Sequence, residues 1–247
     1  MYIQSKFCSL PGSAKLWRYM PYSRFCDMIQ TSSLYFCRLD KFEDKLEGTQ
    51  PPKSREFAVA TENPWQVYER MKMDEYLRIL RNLTFVNCWH INECQNEFMW
   101  KNYANRNNSN GIAVQTSFEN LQKAITDKRK ISALDIKYVD FKTHYQEYFL
   151  ANPFEFISLK DKSQFSSESE LRLITVEDIY PQVDDDDICG WKEQNSHLGE
   201  RIKVDMNILV QNVFISPLGE KDLLDNVCKL LSDNQVNVQP LLGLAYK

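Results

Sequence analysis

Apolar and polar positions switch repeatedly between a period of two and a period near three and a half, and these switches cut the chain into short elements. Trp17-Arg18-Tyr19 reads as a short strand. Pro21 opens a helix running to about Gln30, with Tyr22, Phe25 and Ile29 on one face, and Leu34 to Leu39 reads as a second strand. The opening is therefore β-α-β. Asp40 to Pro52 is polar, contains Gly48 and ends in Pro51-Pro52, which predicts a loop. From Trp65 to Arg81 the apolar residues Val67, Met71, Tyr76, Leu77 and Leu80 recur at helical spacing, so a long amphipathic helix follows.

Thr84 to His90 is rich in strand formers, Asn96 to Ala104 is helical, and the Asn-rich turn Arg106 to Asn110 is closed by Gly111 before a strand over Ile112 to Thr116. Ile136 to Phe141, Phe154 to Leu159 and Leu171 to Val176 read as strands. Val213 to Ile215 and Val236 to Val238 are short late strands around a helix from Lys221 to Leu231. The strands are irregularly spaced, and there is no internal repeat and no long Pro, Gly or Ser linker. That predicts an α+β fold in a single domain spanning 1–247, with a mixed or antiparallel central sheet flanked by helices rather than a doubly wound parallel one.

Composition narrows the chemistry. With only 7 Gly in 247 residues, a glycine-rich phosphate cradle is disfavoured, and a net charge of -4 argues against broad attraction to nucleic acid or anionic lipid. The 7 Cys form an odd set without a C-x-x-C pair, which indicates reduced thiols rather than a disulfide framework. No stretch reaches membrane-spanning length, so a cytoplasmic protein without membrane contact is expected.

Several groups of residues carry candidate chemistry. Cys88 and His90 share a strand face and Cys94 follows, but a fourth zinc ligand is missing, so no metal is expected and a buried Cys beside a hydrogen-bonded His is the better reading. Asp184 to Asp187 form a self-repelling acidic run suited to a solvated loop, with little claim to magnesium. Lys123, Lys128, Arg129 and Lys130 cluster near a helix end, where cations complement the macrodipole; a nucleic-acid contact is the bolder alternative. Met99, Trp100 and Tyr103 lie on one helix, with Trp100 suited to the core and Tyr103, polar at its tip, suited to a half-exposed ligand contact. Glu168 and Glu170 fall on one face of an extended segment two residues before Arg172. Taken alone, that pattern is an exposed charge ladder on an edge strand.

Trp17-Arg18-Tyr19, Leu34-Tyr35-Phe36, Phe42-Glu43-Asp44-Lys45-Leu46-Glu47-Gly48, Met99-Trp100-x-x-Tyr103 before Gly111, and Glu168-x-Glu170-Leu171-Arg172 occur in the order found in the microbial family called domain of unknown function 2971, which the chain resembles. Val213-Phe214-Ile215-Ser216-Pro217 and Leu244-Ala245-Tyr246 extend the resemblance almost to the end. The segment from Asp40 to Lys45 departs from it, where the family more often has a Pro and an Asn-Asp-Pro.

The same order of parts resembles, more weakly, the ADP-ribosyltransferases, especially the branch that modifies DNA and RNA. That resemblance implies a fold like theirs and NAD as a substrate. It implies Glu170 as the catalytic carboxylate, Arg18 holding a ribose hydroxyl or diphosphate oxygen, and Tyr35 stacking on nicotinamide; read from the residues alone, Arg18 suits an outward surface ion pair equally well and Tyr35 suits the core, while Tyr103 is the secondary ligand candidate. The acceptor would be a macromolecule, protein or nucleic acid, and the role a toxin or a part of conflict between microbes and phages. A non-catalytic module that binds a nucleotide, a nucleic acid or a protein is the alternative. An enzyme would need Glu170 in a concave pocket facing Arg18 and Tyr35.

Overall fold

The computed structural model describes residues 2–3, 8–54, 56, 64–106, 110–145, 153–177 and 197–244. In chain order its strands are β1 (Tyr2–Ile3), β2 (Lys15–Pro21), β3 (Ser33–Arg38), β4 (Thr84–Ile91), β5 (Gly111–Ser117), β6 (Ile131–Asp135), β7 (Lys137–Val139), β8 (Leu159–Asp161), β9 (Glu170–Val176), β10 (Gly199–Lys203), β11 (Asn212–Ile215) and β12 (Pro240–Leu242). A ten-stranded sheet runs β1-β6-β9-β4-β2-β5-β11-β12, with β3 joined to β4 and β10 to β3, while β7 and β8 pair separately. Apart from the parallel pairs β1–β6 and β11–β12, the large sheet is antiparallel, so the architecture is α+β with a mixed, mostly antiparallel sheet.

The opening β-α-β forms as its pattern predicts. Pro21 stands just before the helix Tyr22–Thr31, whose Phe25 and Ile29 are buried, and Ser32 closes that helix in the left-handed region at φ 45°. The long amphipathic helix extends over Pro64–Leu83.

Strand alternation sorts the core into two sides. Leu16, Met20, Leu34, Phe36, Phe85, Trp89, Leu171 and Leu173 point to one face and pack with the helices Tyr22–Thr31 and Leu223–Asp233. Val86, Leu134 and Ile174 point to the other, against Leu77 and Leu80 of the long helix and Phe156 and Ile157. Trp17, Tyr19, Trp100 and Ala113 extend this second side beyond β4.

The predicted strand Leu34 to Leu39 forms β3, which pairs with β4 and β10, while β4 separates β2 from β9. Three expectations need correction. Phe154 to Leu159 is largely the helix Pro153–Ile157, with Pro153 at its first position, and strand structure begins only at Leu159. Between Ile136 and Phe141 only Lys137–Val139 is strand, and the main ladder strand lies earlier, at Ile131–Asp135. Val236 to Val238 is not a strand: Gln235 turns at φ 58° and the Val236 amide bonds back to Leu231, so Val236 is buried by folding onto the preceding helix.

One feature of the sheet positions the site. The same edge of β4 is met by β2 at Leu16↔Ile91 and Trp17↔His90, and by β3 at Cys37↔Val86 and Arg38↔Phe85. Both strands run antiparallel to β4, so they diverge, and the sheet forks beside Asn87, Cys88 and Trp89. There side chains replace the ladder: Asn87 Nδ2 donates to the Tyr35 carbonyl at 2.8 Å and Arg18 Nη1 to the Cys88 carbonyl at 3.0 Å.

Candidate functional site

The start of β9 carries a buried ionic cluster drawn from four parts of the chain. Glu170 and Arg172 sit on β9, Glu168 in the 3-10 turn before it, Lys160 on β8, and Glu47 in the loop after β3; all are 0–7% exposed. Arg172 is the hub. Its Nε donates to Glu170 Oε1 at 2.8 Å, its Nη2 to Glu47 Oε1 at 2.8 Å, and its Nη1 to the Ile157 carbonyl at 2.9 Å. Glu47 Oε2 lies a further 2.8 Å from Nη1, an ion-pair contact without hydrogen-bond geometry.

Lys160 Nζ donates to Glu170 Oε2 at 2.9 Å and also to Glu168, and lies 4.5 Å from the centre of the Phe165 ring. Glu168 is capped from outside by the hydroxyl of Tyr103. Burial opposes ionisation of Glu170, but the charges of Arg172 and Lys160 outweigh it and lower its pKa to about 2. Burial also opposes the charge on Lys160, and Glu170 with Glu47 reverses the effect, raising the ammonium pKa.

Each member is placed by its local structure. Ser169 takes a left-handed conformation at φ 40°, so Glu168 leaves the strand and does not share a continuous face with Glu170. β9 lies between β4 and β6, which buries Glu170 and rules out the exposed edge ladder. Tyr103 belongs to a π-helical turn, Trp100–Ala104, that continues the short helix Glu97–Met99. Trp100 is in the core as expected, and Tyr103 is 39% exposed. At the rim, Arg106 just past that turn makes a two-bond ion pair with Glu43, at 2.8 and 3.1 Å, so one loop contributes Glu43 to the surface and Glu47 to the interior.

The residues expected to form one pocket divide between two sides of the sheet. The register Trp17↔His90↔Glu170 puts Trp17 and Glu170 on the same face and Arg18 on the opposite one. Arg18 is half-buried there, with its guanidinium 5.9 Å from the Trp89 ring centre. Burial, helped by the charge of Arg24, lowers its pKa to about 10, which leaves it cationic at neutral pH. Tyr35 is on the Glu170 side, but β4 stands between their strands; its ring lies against Gly199 and 5.9 Å from the Arg201 guanidinium. Glu170 and Tyr103 are brought together, through Glu168 and Lys160.

Cys88 and His90 have partners other than a metal. His90 Nδ1 lies 2.5 Å from the Glu168 carbonyl, and Cys88, opposite Arg172 in the register, hydrogen-bonds with Glu170. Cys94 is exposed. In the basic segment, Lys123 bonds Glu119 while Arg129 is held by Asp127 and Glu200. The acidic run Asp184 to Asp187 and the closing Ala245-Tyr246 lie outside the described residues. Sequence reasoning missed Glu47 and Lys160; Glu47 stood within the Phe42 to Gly48 motif, but Lys160 had no distinguishing pattern.

No family model matches the chain, so the likeness to domain of unknown function 2971 stays a resemblance, and no curated protein matches it. Among solved structures, it is similar to Thermus sp. 2.9 DarT in complex with NAD+, at 6% identity and a TM-score of 0.40, over 95% of this chain and 97% of that one. A likeness so slight carries no argument about chemistry.

Proposed function

We propose that the protein is an NAD-consuming ADP-ribosyltransferase that modifies a macromolecular acceptor in the cytoplasm, as a toxin or in conflict between microbes and phages. The reading rests on the sequence resemblance and on one structural observation. Among the described residues, the cations that Glu47, Glu168 and Glu170 face in the buried cluster are Lys160 and Arg172, so with every member in its ordinary charged form one negative charge is left over, beneath a half-exposed tyrosine. Cleavage of the nicotinamide–ribose bond moves positive charge onto the ribose, and a fixed excess of negative charge shielded from water favours that transition state over the ground state. Residues on the cluster side would orient the sugar, and Tyr103 offers a ring for stacking at the mouth.

The second reading, a binding module without turnover, is favoured by a specific feature: the Glu170 carboxylate is already bonded to two cations, and Arg18 is on the other face. Thermal shift with NAD, followed by transfer of labelled ADP-ribose to protein, DNA and RNA acceptors, separates the two. The enzyme reading expects both a raised midpoint and label on one acceptor class. A raised midpoint without label or nicotinamide release leaves the binding module.

A further inference from the structure

Among the buried polar atoms that the ionic cluster leaves unused, one belongs to a titratable ring at the same end of the sheet. His90 is 3% exposed, pairs across the ladder with Glu170, and meets the edge of the Tyr19 ring at 6.1 Å between centres. Its Nδ1 is 2.5 Å from the Glu168 carbonyl oxygen. A carbonyl oxygen only accepts, so Nδ1 carries the proton and Nε2 presents a lone pair. That Nε2 is buried and has no hydrogen-bond partner among the described residues.

The neighbouring acceptors differ in this respect. Both oxygens of Glu170 take bonds from Arg172 and Lys160, and both oxygens of Glu168 take bonds from Tyr103 and Lys160. Of the two acceptors in this region without a hydrogen bond among the described residues, Glu47 Oε2 already lies in ion-pair contact with Arg172, which leaves His90 Nε2 as the neutral acceptor open to a donor. A metal ion is a poor match there, because the carboxylates it would need are already bonded to ammonium, guanidinium and phenol groups.

We propose that His90 Nε2 is a ligand contact, accepting a hydrogen bond from a ribose hydroxyl of a nucleotide bound at the Glu168–Glu170 end of the sheet, with the Glu168 carbonyl fixing the tautomer that makes this possible. The inference rests on the NAD reading above and adds a residue to it. Glu168 couples the two parts: its carboxylate holds Tyr103 and its backbone carbonyl holds His90.

The chain has 3 His, so histidine-selective ¹⁵N labelling of the intact protein gives a readable spectrum. In the free protein the His90 ring should show a protonated Nδ1 and an unprotonated Nε2. Saturating NAD should shift Nε2 towards the hydrogen-bonded range while Nδ1 stays put. His90→Asn, which keeps an amide N–H for the Glu168 carbonyl but lacks the distal acceptor, should assign the signals and weaken NAD binding about tenfold, the scale of one hydrogen bond. If NAD raises the thermal midpoint but Nε2 does not move and His90→Asn binds as tightly as wild type, the contact is refuted and the NAD reading survives. A protonated Nε2 in the free protein also refutes it. If NAD does not bind at all, both fall together.

Discussion

Arg172 is fully buried and serves two carboxylates at once, so its removal would leave Glu170 with Lys160 as its one cation among the described residues and Glu47 with a contact of 3.4 Å to the same lysine. Arg172→Met should therefore cost about 3–5 kcal/mol in denaturant unfolding, the penalty for uncompensated buried charge. Glu170→Gln is different, because it leaves two carboxylates facing two cations, and the variant should fold. The pH dependence of stability separates the titrating groups. The pKa of Glu170 drops from 4.5 to about 2 on folding, so its contribution is complete above 4.5 and is lost as the pH falls towards 2. His90 is held below its ordinary 6.5 by burial, so the unfolded chain takes up the proton first and stability declines as the pH falls below 6.5. Urea unfolding from pH 8 to pH 3 should show both slopes, with the lower one reduced in Glu170→Gln and the upper one in His90→Asn. A sequence displays the identity of these residues but not their company: Glu47 and Arg172 are 125 positions apart, and no periodicity joins them.

Elements close to one another through glycine are open to a test of their own. A Cβ on Gly111, at the start of β5, would lie 2.7 Å from the Ala104 Cβ, 2.9 Å from the Ala104 backbone carbon and 2.3 Å from Asn105 Oδ1, all in or beside the turn that carries Tyr103. Gly111→Ala should cost about 1–3 kcal/mol as an overpacked contact and should also weaken NAD binding by displacing Tyr103; a thermal midpoint and an NAD titration would check both. Elements with clean periodicity, such as Tyr22–Thr31 and β9, could be read from sequence to within a few positions. Short ones could not, because Phe154, Phe156 and Ile157 satisfy strand propensity and helix burial equally, and tertiary packing decides between them. β10 went unread for a similar reason: of its five residues only Ile202 is apolar, and it is held in the sheet by pairing with β3.

At the scale of the whole molecule, the fork at β4 decides which residues can cooperate. Predicting that Arg18, Tyr35 and Glu170 would converge needed the strand order and the side of each strand that faces the fork, and spacing along the chain contains neither. Chemically equivalent positions one residue apart on β2 face opposite layers, so Tyr19 lies with His90 while Arg18 lies with Trp89. No helix among the described residues is long and apolar enough to cross a membrane. In the proposed reaction the leftover charge of the Glu47–Glu168–Glu170–Lys160–Arg172 cluster drives cleavage of NAD, and nicotinamide release by wild type and by Glu170→Gln at matched NAD occupancy tests this most directly. Because the amide keeps the shape and makes the cluster neutral, Glu170→Gln should bind NAD within a few-fold of wild type and turn it over about 10²–10³ times more slowly. Equal release by the two proteins, or none by wild type with protein, DNA and RNA acceptors supplied, would contradict it.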